Sequence, residues 1–181
     1  MKYIPQDKML IDGYNVINAW SELVAIKDNL EYARDKLVDI LSGYGFFQNY
    51  RIILVFDAHG VKGSDGCQQV INEFVKVVYT KEGETADSYI EKVVYDLMRR
   101  PDRGRVYVVT SDWAEQMVIL GAGAYRISAR ELRTYVTQAQ KNMQTGFSEH
   151  VLNYRRQELQ YRLNKDIAKR LDEIRRDGKK E

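Results

Sequence analysis

The chain is poor in the residues that would mark several large classes of protein. It has one cysteine, Cys67, in 181 residues, so no disulfide can form within it, as suits a reducing cytoplasm. With a single Cys and two distant histidines, His59 and His150, no Cys/His zinc pattern can be drawn. Two prolines leave no room for a Pro-rich linker. The longest apolar runs fall far short of the roughly 20 residues a membrane helix needs, and MKYIPQDKML at the N-terminus has no signal-peptide character. No Ser-His-Asp or Cys-His arrangement for nucleophilic catalysis is evident. Any metal would have to be held by oxygen.

What is present is a soluble composition, 44% hydrophobic and 30% charged, at a length that suits one domain with an appended element. The charge is unevenly placed. From Lys141 onward there are 11 Lys and Arg against 7 Asp and Glu, leaving 17 against 19 in the first 140 residues. A basic tail on a mildly acidic body suits a polyanionic partner, although charge alone favours a solvated helix face.

The segment Lys8 to Asn18, KMLIDGYNVIN, organises the rest. Met9, Leu10 and Ile11 read as a buried strand that stops at a turn, Asp12-Gly13. That puts a carboxylate at the carboxyl end of a strand, where open α/β sheets bind ligands. Asn15, a second short polar residue in an apolar setting, needs a hydrogen-bond partner. The run RIILVFDA from Arg51 is a second strand stopping at Asp57. Phe74 to Thr80 is a third, and Arg105 to Ser111 a fourth that stops at Asp112. A fifth short strand is expected at Ala124 to Ile127.

Helices are expected between these strands. One begins at Asp28, with Glu31 at capping-box spacing, and is ended by Gly43 and Gly45. Another starts at Thr85 with Asp87 in its first turn. A third covers 113 to 120, and Ser128 with Glu131 caps a fourth. Residues 59 to 69, with three glycines, read as a loop on the carboxylate rim. The order argues a parallel sheet covered on both faces. From Ser148 a single long helical pattern carries a narrow apolar stripe flanked by Arg155, Arg156 and Arg162. The expected organisation is a domain over 1–147 and a basic helical extension over 148–181.

Each acidic residue has a plain structural explanation: Asp12 shapes a turn, Asp87 complements a helix dipole, and Asp112 with Glu115 caps a helix. Their convergence on one rim points to a common cause. Crowded carboxylates repel and raise one another's pKa unless a cation joins them. A site of oxygens alone suits Mg²⁺ or Mn²⁺, and such ions promote hydrolysis of phosphodiesters.

The stretches LIDGYNVI, VFDAHG, VVYTKEGETADSYIE and VVTSDWAEQ, in this order and spacing, resemble the YacP-like branch of the NYN domains in the PIN-like nuclease superfamily. The resemblance covers roughly Met9 to Met143. It implies an α/β, PIN-like three-layer fold with a central five-stranded parallel sheet, here followed by the long basic C-terminal helix. It also implies an acidic cluster binding divalent metal, with Asp12, Asp87 and Asp112 as catalytic ligands and Asp57 as a further ligand. Asn15 would orient Asp12 or substrate. Tyr14, Ser111 and His59 are placed on the substrate side, and Arg155, Arg156 and Arg162 on RNA. The branch is similar to a ribosome-associated endoribonuclease that cuts mRNA in the ribosomal A site, which implies a cytoplasmic enzyme with RNA and the ribosome as partners. Two other classes compete. A non-catalytic RNA- or ribosome-binding module gains nothing from carboxylates that face phosphate. A phosphate-receiver domain expects paired acids at the first strand and a lysine after the last, and LIDGY and AYRIS lack both.

Overall fold

The computed structural model describes residues 5–58, 65–111 and 121–146. The chain divides into two compact units, Met1–Gln140 and Lys141–Glu181. Of the second, only residues 141–146 are described, and they are helical.

The first unit is built on β1 (Lys8–Asp12). Its three apolar residues, Met9, Leu10 and Ile11, have no exposed surface, which is what a strand covered on both faces requires. β1 pairs in parallel with β2 (Arg51–Phe56) on one side and β5 (Val106–Val109) on the other. β4 (Val75–Tyr79) lies outside β2 and β6 (Tyr125–Ile127) outside β5, both parallel. These are the five expected strands.

A sixth strand, β3 (Cys67–Val70), lies antiparallel on the outer edge of β4, giving the order β3-β4-β2-β1-β5-β6. The sequence reading placed Cys67 to Gln69 in a loop. All four residues of β3 are exposed, so the strand carries no alternating apolar signal. It is recruited by backbone pairing at the edge.

The helices also correct the reading in detail. The Asp12-Gly13 step opens a helix, α1 (Gly13–Ala19), followed by a single turn, α2 (Ser21–Val24). α3 (Leu30–Gln48) is capped by the side chain of Asn29, which accepts from the Tyr32 N–H; Asp28 is not the cap. It runs through Gly43 and Gly45 and stops at Asn49, whose φ of 57° is left-handed, a conformation Asn tolerates better than most residues. Gly45 is instead a contact point, with its Cβ position 3.1 Å from the Phe74 side chain and 3.2 Å from the Tyr50 carbonyl.

α4 (Ala86–Met98) begins after Thr85, whose hydroxyl accepts from the Ser88 N–H, as expected. A further helix covers 129–146. Its capping box is complete: Ser128 Oγ accepts from the Glu131 N–H, and the Glu131 carboxylate accepts from the Ser128 N–H. The buried Trp20 indole donates to the Ala129 carbonyl at 2.7 Å, and Glu22 pairs with Arg133 at 2.8 Å, tying α1 and α2 to the start of this helix.

The side of the sheet facing α4 holds Leu10, Val55, Val78, Val106 and Val108, packed against Ala86, Ile90, Val94 and Leu97 of that helix. Strand side chains alternate faces. Asp12 and Asp57 lie two residues beyond Leu10 and Val55, so they continue the α4 side past the end of the hydrophobic layer. The start of α4 stands at the same end.

Candidate metal and nucleic-acid site

Asp12 ends the central strand and caps α1. Its Oδ1 accepts from the Asn15 N–H at 3.0 Å, which satisfies one of the free donors of the first helical turn. Asn15 thus orients Asp12 through its backbone. Its half-buried side-chain amide makes no hydrogen bond among the described residues. Burial, and after it the charges of Asp87 and Asp57, hold the Asp12 carboxyl above the usual carboxylate range, against the hydrogen bonds from Asn15 and Tyr14. Asp12 therefore feels the charge of two of the other three sequence-derived acidic residues.

Asp57, in the residue after β2, accepts a hydrogen bond from the N–H of Ala86, the first residue of α4. One of its oxygens is thus committed to the helix that presents Asp87. Among the described residues no group of three or more His, Cys, Asp or Glu side chains is arranged to hold a metal ion. Asp112, His59, Arg155, Arg156 and Arg162 lie outside the described residues. Ser111 is described and exposed, two residues beyond β5.

On the face of the sheet away from α4, this end is lined by aromatic rings. Gly13 is buried against the Phe56 ring, and a Cβ there would lie 2.2 Å from one ring carbon. This glycine lets α1 start directly over β2. Phe56 makes an edge contact with Tyr14 at 5.1 Å and stacks on Tyr79 at 5.7 Å between centroids. The Tyr14 hydroxyl accepts from Arg34 Nη1 at 3.2 Å, and the Arg34 guanidinium lies 5.7 Å from the Tyr79 ring centroid. Sequence reasoning passed over Arg34. It sits beside the buried Ala33 and Leu37 on α3, and nothing in a helical charge next to an apolar stripe separates it from a solvated one. Beyond Asp57, the Thr80 hydroxyl accepts from the Ala58 N–H at 3.1 Å, fixing the backbone as it leaves β2. Elsewhere, the Tyr125 and Tyr107 rings meet at a tilt of 32° and the Tyr89 hydroxyl accepts from Gln68, while Trp113 lies outside the described residues.

The model of the YacP-like NYN domain, a family of PIN-like nucleases, matches residues 9–176. The chain is 43% identical over 139 residues to the YacP protein of Bacillus subtilis (strain 168), covering 76% of this chain and 79% of that one. Its fold is similar to the crystal structure of Rae1 (YacP) from Bacillus subtilis, with TM-score 0.68 and 37% identity over 94% of this chain and 95% of the other. A mutant form of that protein matches with TM-score 0.65 and 39% identity, covering 77% and 79% of the two chains. With a parallel sheet that gathers carboxylates at one end and these matches along most of its length, the chain belongs to the YacP-like NYN domain family.

Proposed function

We propose that the protein is a divalent-metal-dependent endoribonuclease that cleaves RNA phosphodiester bonds, acting on mRNA on the translating ribosome in the cytoplasm. The observation that carries this reading is the placement of Asp57 and Asp87 within electrostatic reach of Asp12 at the carboxyl end of the sheet. Asp12 and Asp57 each accept a hydrogen bond at a helix start, but that role gains nothing from placing the charges of Asp57 and Asp87 where they disfavour ionisation of Asp12. A divalent cation would remove that conflict, and the donor set, all hard oxygens, fits Mg²⁺ or Mn²⁺.

Asp12 and Asp87 would hold the ion, completed by Asp112, with Asp57 contributing less because Ala86 already occupies one of its oxygens. When bound, such an ion supplies Lewis-acid activation of water and charge neutralisation at the phosphate. The chain's own residues do the rest. The Asn15 N–H fixes the rotamer of Asp12, Gly13 brings α1 close over the strand ends, and the Asn15 amide and Ser111 hydroxyl offer neutral hydrogen bonds to the nucleotide. Arg155, Arg156 and Arg162 would hold the polyanion, within the basic extension proposed for 148–181.

The test is cleavage of a message under translation, with Mg²⁺ or Mn²⁺, by the natural protein and by Asp12→Asn and Asp87→Asn, each verified as folded. Loss of cleavage in both variants is expected. Ribosome binding without cleavage by the natural protein would replace this reading with that of a binding module.

A further inference from the structure

We propose that Arg34 is a phosphate-binding residue at the α3-side margin of this site, gripping a phosphate that flanks the bond to be cut, and that Tyr14 positions it. The inference rests on the nuclease reading for its substrate class, but its own evidence is separate.

Arg34 is half-buried, on α3, and its guanidinium is held from two sides. Nη1 donates to the Tyr14 hydroxyl at 3.2 Å, and the Tyr79 ring lies beneath it at 5.7 Å. Neither partner neutralises it. Among the described residues Arg34 has no carboxylate partner, although its neighbour Asp35 is close enough to act on the Tyr79 hydroxyl. A guanidinium has five donors in a planar fork suited to two phosphate oxygens, and among the described residues only one of them is used.

Its place in the fold supplies the rest. Tyr14 is two residues after Asp12 and Tyr79 ends β4 at the same end of the sheet, while Phe56 and Tyr79, one residue along from Val55 and Val78, project from the face opposite α4, so Arg34 stands at the carboxylate end on the α3 side of the sheet. An RNA strand drawn to a ring of carboxylates meets repulsion at every phosphate the metal does not cover. A cation held at the same end of the sheet, on its α3 side, offsets the repulsion for a flanking phosphate. The ring under Arg34 restricts its motion, so less conformational freedom is lost on binding.

The experiment measures binding of a labelled single-stranded RNA across a range of salt, without divalent ion, together with cleavage kinetics in Mn²⁺. The proteins are the natural chain, Arg34→Ala, Arg34→Lys and Tyr14→Phe, with thermal unfolding recorded for each. Arg34→Ala should weaken binding about tenfold, as expected for loss of a charge-assisted hydrogen-bonded contact, and raise KM. It should also reduce the slope of log K against log salt by about 0.7, the value for one phosphate on a single strand. Arg34→Lys should restore the slope but not the affinity. Tyr14→Phe keeps the ring on Phe56 and should weaken binding while leaving the slope intact.

Folded Arg34→Ala with unchanged affinity and slope would overturn the proposal, even if cleavage by the natural protein is intact. If Arg34→Ala fails to fold, an Arg34→Lys protein with natural affinity would overturn it equally. An Arg34-dependent slope in a natural protein that binds but does not cut would uphold the contact and remove the nuclease reading.

Discussion

Asp57 and Ala86 are 29 residues apart, yet the carboxylate of the first accepts a hydrogen bond from the backbone N–H of the second. That bond joins the end of β2 to the start of α4 and so sets where Asp87, in the first turn of α4, stands relative to Asp12. It also separates two roles that look alike in sequence, since Asp12 caps the helix next to it in the chain and Asp57 caps one far away.

Asp57→Asn should therefore retain the link, because the amide carbonyl still accepts from Ala86, whereas Asp57→Ala should lose it. The alanine variant is expected to cost about 1 kcal/mol, the usual magnitude for a lost helix cap, measured by urea unfolding. Metal titration should show a smaller loss of Mn²⁺ affinity for Asp57→Asn than for Asp12→Asn. The reverse order would mean that the ligands are misassigned.

Asp12 carries a pH-dependent cost. Its pKa is raised in the folded state, by burial first and by Asp87 and Asp57 after it. Below the unfolded-state pKa both states are protonated and there is no cost. As pH rises past that value the unfolded chain ionises first and stability falls, until the folded pKa is passed and the cost is complete. Asp12→Asn keeps an effective cap and removes the charge. Without divalent ion it should unfold at higher temperature than the natural protein at neutral pH, with the gap closing in acid. Added Mn²⁺ should raise the unfolding temperature of the natural protein and not that of the variant.

Two glycines should respond in opposite directions to alanine. At Gly13 the new methyl meets the Phe56 ring at 2.2 Å, and that ring is wedged between Tyr14 and Tyr79. Gly13→Ala should destabilise by about 1–3 kcal/mol, as overpacked cores do, and should lower cleavage by displacing α1. At Gly43, exposed within α3, nothing lies within 4 Å, so Gly43→Ala should stabilise by about 0.5–1 kcal/mol. Denaturant midpoints for the pair decide both.

Replacing Arg155, Arg156 and Arg162 together with Glu should weaken association with RNA or ribosomes and flatten its salt dependence. Thermal unfolding should be unchanged. Equal binding by the variant would remove the role proposed for the basic extension.

How much of this could be read from the sequence depended on whether burial or geometry was responsible. β1 and β2 were legible because strands covered on both faces are apolar, and their ends were marked by Asp12 and Asp57; β4 was legible by its β-branched run despite Lys76 within it. β3 was not, because an exposed edge strand of Cys, Gln, Gln and Val is chosen by its neighbour's backbone. α1 was hidden because Asp-Gly is a common turn and a seven-residue helix shows barely two turns of pattern. Asn29 in place of Asp28 as the cap of α3 is a one-residue distinction between equally good capping residues. In the site, the acidic residues at strand ends were visible one by one. The bond from Ala86 to Asp57, the Phe56 ring under Gly13 and the seat of Arg34 depend on contacts across the sheet that no local pattern records.

The strand order has a consequence for the chain as it is made. β1 emerges first yet lies at the centre, and its partner β5 begins at Val106, about a hundred residues later. Contacts so distant in sequence close late and make folding slow. A nascent chain that has reached the end of α3 holds Asp12 but neither Asp57 nor Asp87, so the acidic ring cannot assemble until most of the sheet has been synthesised. Incomplete copies released early would lack the proposed cutting centre, which confines its chemistry to finished molecules.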